Sequence, residues 1–101
     1  MTIYNKLVRD LIPEIIAAKG GEAKTHIAEQ EEYEKKLREK LQEEMLEFME
    51  SGTPEELADI LEVVYALGAV AGVDSAKLEA LRRTKARERG GFERRIVLEE
   101  S

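Results

Sequence analysis
The chain has 101 residues, no cysteine, one histidine and a formal net charge of −6. That length suits one compact domain and not two, so residues 1–101 read as a single domain. Without cysteine there are no disulfides, thiolate metal sites or thiol nucleophiles; the lone His26 excludes multi-histidine zinc chemistry, and the acidic balance argues against coating a nucleic-acid polymer, which needs a basic footprint.

Hydrophobic residues make up 43% and charged residues 38%, with no low-complexity tract, so an ordered domain is expected. A domain this small buries a modest share of its surface, which makes a homodimer the expected state. Met1 to Asp10 lacks a basic region followed by an apolar run, so no signal peptide is expected. The longest apolar stretch, Val63–Val73, is too short to span a bilayer. A cytoplasmic location without membrane partners is the default expectation.

In chain order, "RDLIPEIIAAKGG" predicts a short helix, capped by Asp10, with Pro13 in the first turn and Gly20-Gly21 at its end. "AKTHIAE" alternates weakly and suggests a brief extended segment. A long helix follows from near Glu29 to Glu50, with Leu37, Leu41, Met45 and Phe48 in one apolar stripe and Gly52 as its stop. "TPEE" predicts a new start, with Thr53 as N-cap, Pro54 at the first position and Glu56 completing a capping box. The helix it opens, to about Ala71, is apolar around much of its circumference and is the expected core and subunit contact. Asp74 re-caps a last helix that runs towards Arg89, and "FERRIVLEE" reads as a short strand or a tail. The expected fold is all-α, a small bundle of about four helices with a possible C-terminal strand.

The helix hairpin is where chemistry is expected. Stepping about 100° per residue from Leu41 puts Glu44 about 60° away, at the edge of the apolar stripe, with Glu47 beside it and Glu43 on the far side. On the next helix Glu56 falls within the apolar arc and Asp59 at its border, while Glu62 turns away. A turn this short packs the helices antiparallel, so the four carboxylates meet near one end of the hairpin. Four anions beside an apolar seam repel unless protonated or neutralised, and all-oxygen ligation selects a hard cation, Mg²⁺ or Mn²⁺. Glutamate is also a good helix former, and Glu55 and Glu56 suit a helix N-terminus. Spacing alone does not separate a metal site from a solvated acidic face.

At these residues the chain resembles the MazG-type all-α nucleoside triphosphate pyrophosphohydrolases, whose signature is EExxE (here Glu43, Glu44, Glu47) followed by ExxD (Glu56, Asp59). "YNKLVRDLIPEII" and "KARERGGFERRIVL" resemble a subgroup described as phosphoribosyl-ATP pyrophosphohydrolase-like, so the likeness covers nearly the whole chain. The resemblance implies Mg²⁺ ligation by Glu44, Glu47, Glu56 and Asp59, which also carry the catalysis. It further implies a homodimer that hydrolyses the α–β phosphoanhydride of a nucleoside triphosphate to a monophosphate and pyrophosphate. Leu11 departs from the subgroup's lysine after "VRD", and Thr84 or Lys85 stands where some relatives place an asparagine.

A polyphosphate needs cations from the protein as well. Lys6 and Arg9 flank the opening motif, and Lys85 and Arg89 share a face of the last helix at a spacing of four, so these are the candidate phosphate contacts. Arg94 and Arg95 read as surface charges or as contacts for an acidic partner surface. Two other readings share the sequence: a non-catalytic helical nucleotide-binding and dimerisation module, and an enzyme devoted to phosphoribosyl-ATP.

Overall fold
The computed structural model describes residues 3–101. Among them the chain is all-α, a small bundle of four helices with no strand: α1 (Ile12–Ala18), α2 (Gln30–Ser51), α3 (Pro54–Val70) and α4 (Ser75–Arg89). No helix among the described residues is long and apolar enough to cross a membrane.

Local chemistry explains most of these boundaries. α2 starts after Glu29, which is extended, and stops at Gly52, whose φ of 66° lies in the left-handed region. Its amide donates to the Phe48 carbonyl at 2.7 Å, closing the last turn. A side chain there would cost about 1–2 kcal/mol in backbone strain. Only Gly52 and Thr53 separate α2 from α3, so the two helices fold back on each other and form the main helix–helix contact. α4 begins as the sequence predicts, with the Asp74 carboxylate accepting from the Lys77 amide at 2.8 Å. It packs more lightly, on α3 alone. Gly68 permits that approach, since a Cβ there would lie 3.1 Å from the Val73 carbonyl oxygen.

Three local expectations are corrected. The N-cap of α1 is Leu11, not Asp10: Pro13 sits in the first turn, and the Ile12 amide turns back to the Arg9 carbonyl at 3.1 Å, leaving Asp10 in the turn before the helix. The capping box at α3 does not form, because no side chain caps Thr53, and its amide instead meets the Ser51 hydroxyl at 3.3 Å. Neither "AKTHIAE" nor "FERRIVLEE" is a strand. A strand needs a partner edge for its backbone groups, and an all-helical chain offers none.

The core is thin. Among the described residues, Leu37 on α2 and Val63 on α3 are the buried apolar ones, while Leu41, Phe48, Ile60, Val64 and Leu67 are half-buried. Met45, expected in the stripe, is 46% exposed. Leu57, Leu61 and Tyr65 form an open stripe on α3, with Tyr65 41% exposed. The radius of gyration, 17.5 Å, exceeds the ~13 Å of a compact 100-residue domain.

Candidate metal centre
The hairpin brings carboxylates from α2 and α3 together. Glu44, Glu56 and Asp59 each place one oxygen within 4.8 Å of the others, and Glu43, Glu44 and Glu47 form a second group to the same limit. Glu44 belongs to both. The four expected residues are thus gathered, but Glu47, which is exposed, joins them through Glu44.

Glu44 is 7% exposed, the one buried charged residue among those described. Its Oε1 lies 3.4 Å from Lys40 Nζ, while its Oε2 is buried without a hydrogen-bond partner, as is Oε2 of Glu56. Burial, and then the neighbouring Glu47, holds the Glu44 carboxyl above its ordinary value. A buried oxygen without a donor loses its hydration uncompensated, and a cation restores what is lost. Two such oxygens, in a group with a third carboxylate and no nitrogen or sulfur donor, fit a hard divalent ion. Free of a capping role, the Glu56 carboxylate is available to that group.

Glu43 corrects the helical-wheel expectation. It is half-buried rather than turned away, and it is held by Lys6 Nζ at 2.8 Å and Lys40 Nζ at 3.4 Å. The Lys6 hydrogen bond keeps the Glu43 carboxyl below its ordinary range, and the same contact raises Lys6. With two ammonium partners, Glu43 is committed to cations the protein already holds.

The N-terminal segment supplies the nearest positive charge. It lies across both helices at three points: Lys36 donates to the Asn5 carbonyl, Lys6 pairs with Glu43, and Arg9 Nη2 reaches Asp59 Oδ1 at 2.8 Å. Asn5 sits at φ 45°, a left-handed conformation asparagine tolerates, where the segment is pinned. Lys6 and Arg9, the expected phosphate contacts at the opening motif, are thus paired with carboxylates of the hairpin. Lys85 and Arg89 are exposed on α4, with no ion pair to the hairpin among the described residues. Lys40 escaped the sequence reading; its position one turn before Glu44 was the available signal.

Comparison with protein-family models, with curated proteins and with solved structures gives no match.

Proposed function
We propose that the chain is a Mg²⁺-dependent nucleoside triphosphate pyrophosphohydrolase, cleaving the α–β phosphoanhydride to a monophosphate and pyrophosphate, with Mn²⁺ as a substitute ion. The observation that carries this reading is the pair of buried, partnerless oxygens on Glu44 and Glu56, grouped with Asp59. Glu44, Glu56 and Asp59 hold the cation, with Glu47 reached through Glu44. A divalent ion bound there supplies Lewis acidity towards phosphoryl oxygens and a more acidic water. Lys6 and Arg9, on the segment beside the centre, hold substrate phosphate; the acidic-motif resemblance points to the same chemistry.

The working unit is a homodimer. The chain exposes 9324 Å², where a compact monomer of its mass exposes about 5,800 Å². Part of that excess lies in the extended termini, but it far exceeds the ~800 Å² per partner of a standard interface. The open α3 stripe of Leu57, Leu61 and Tyr65 gives a second copy an apolar face to cover, and Met45 and Met49 on α2 are exposed as well.

Pyrophosphate release from ordinary and modified nucleoside triphosphates and phosphoribosyl-ATP, with Mg²⁺, Mn²⁺ or EDTA, tests the reaction. Metal-dependent release with the matching monophosphate is expected, and Glu47→Gln is expected to lose about 100-fold or more in rate while keeping its helical circular dichroism. Full activity in Glu47→Gln overturns its assigned role. Nucleotide bound and returned intact indicates a binding module.

A further inference from the structure
We infer that Arg9 is the resident counterion of the centre and is handed from Asp59 to a substrate phosphate when the divalent ion arrives, which makes metal binding a precondition for tight polyphosphate binding. The inference rests on the metal reading above. Asp59 occupies two roles at once: it is a member of the Glu44, Glu56 and Asp59 group, and its Oδ1 accepts from Arg9 Nη2 at 2.8 Å. A carboxylate oxygen that donates its charge to a divalent ion has less to offer a guanidinium, and the ion repels Arg9 directly. The two cations therefore compete for one carboxylate.

The other basic residues are placed differently. Lys6 is bound to Glu43, outside the Glu44, Glu56 and Asp59 group. Lys40 bridges Glu43 and Glu44 from within α2, one turn away, and keeps Glu43 if Glu44 is withdrawn. Arg9 reaches across 50 residues of sequence, has a side chain 54% exposed, and rides on a segment outside every helix. It is free to move without unfolding an element. Once displaced, its fork of N–H donors matches a phosphate better than an ammonium does. Without metal, Arg9 stays paired with Asp59 and the other carboxylates of the cluster repel the polyanion.

The test measures binding, not turnover. Mn²⁺ affinity is read by electron paramagnetic resonance for the wild type, Arg9→Ala, Lys6→Ala, Asp59→Asn and Arg9→Ala/Asp59→Asn. Inorganic tripolyphosphate binding is read by calorimetry with and without Mn²⁺. Because an exposed pair is weak, Arg9→Ala is expected to tighten Mn²⁺ by about two- to fivefold. The gain shrinks in the Asp59→Asn background and is smaller for Lys6→Ala. Arg9→Ala is expected to weaken tripolyphosphate only when Mn²⁺ is present. Unchanged or weaker Mn²⁺ binding in Arg9→Ala overturns the hand-over while leaving the metal centre standing, as does an equal tripolyphosphate loss with and without metal. No Mn²⁺ uptake by the wild type overturns the centre itself, and the hand-over with it.

Discussion

Replacing Glu44 by glutamine separates a metal ligand from a structural carboxylate. Glu44 is 7% exposed, with Oε2 buried and unpaired and Oε1 at 3.4 Å from Lys40. Leaving such a group unsatisfied costs about 1–3 kcal/mol. Glutamine keeps the shape, removes the desolvated charge and supplies N–H donors to the carboxylates around it. Lys40 loses one partner and keeps Glu43 Oε2 at 3.4 Å, which offsets part of the gain. A net stabilisation of about 1 kcal/mol raises Tm by about 4–8 °C for a domain of this size. In EDTA, at fixed protein concentration, Glu44→Gln is therefore expected to melt above the wild type. At 100 Kd of Mg²⁺ a ligand that binds only the folded state contributes about 2.7 kcal/mol, enough to place the wild type above a variant that has lost a ligand. Scanning calorimetry in both conditions reads the crossing. A Glu44→Gln protein that melts below the wild type in EDTA refutes the orphan-charge argument. An equal Mg²⁺ shift in both proteins refutes ligation by Glu44.

The remaining expectations concern pH and assembly. Burial holds the folded-state Glu44 carboxyl above its ordinary 4.5, so its stabilising contribution is complete below that pH and is lost as pH rises through the raised value. In EDTA the advantage of Glu44→Gln over the wild type should accordingly grow as pH rises from below 4.5 to neutrality, and a pH-independent difference in Tm counts against it. Lys6 lowers Glu43, so that residue contributes above 4.5 and its contribution fades as pH falls; Lys6→Ala should flatten that acid limb in the same melts. Leu61→Glu, at a position 47% exposed on α3, is expected to halve the mass seen by light scattering while keeping helical circular dichroism. An unchanged mass moves the interface off the α3 face.

What the sequence disclosed depended on how local each signal was. Gly52 and Asp74 fixed the ends of α2 and α4 because a left-handed stop and a side-chain cap act within one turn. Glu56 was ambiguous, since the "TPEE" spacing serves a capping box and a core-facing carboxylate equally, and only the fold brings it within 4.8 Å of Glu44 on α2. Glu43 was misplaced because a helical wheel holds no partner from outside the helix, and Lys6, 37 residues earlier, pairs with it. Lys6 and Arg9 were singled out from the motif they flank, which does not reveal their carboxylate partners on α2 and α3, and the spacing of Lys85 and Arg89 placed them together on a face without placing that face on the hairpin. The large exposed surface was foreshadowed by the all-round apolarity of α3, which α2 and the lighter contact of α4 leave partly uncovered.

Charge balance ties the orphaned oxygens to the cations already in place. Glu43, Glu44, Glu47, Glu56 and Asp59 cluster with Lys6, Arg9 and Lys40, so five carboxylates face three positive charges. Full ionisation leaves two negative charges unmatched, which one divalent ion cancels. The alternative available to the isolated chain is protonation, and the raised Glu44 carboxyl is that alternative expressed at the least solvated member of the set. On the proposed metal reading, proton and metal compete for the same oxygen, and metal uptake would release protons in proportion to how far Glu44 is protonated beforehand. If Arg9 then leaves for a phosphate, the centre regains a negative charge at the moment a polyanion needs metal to hold it.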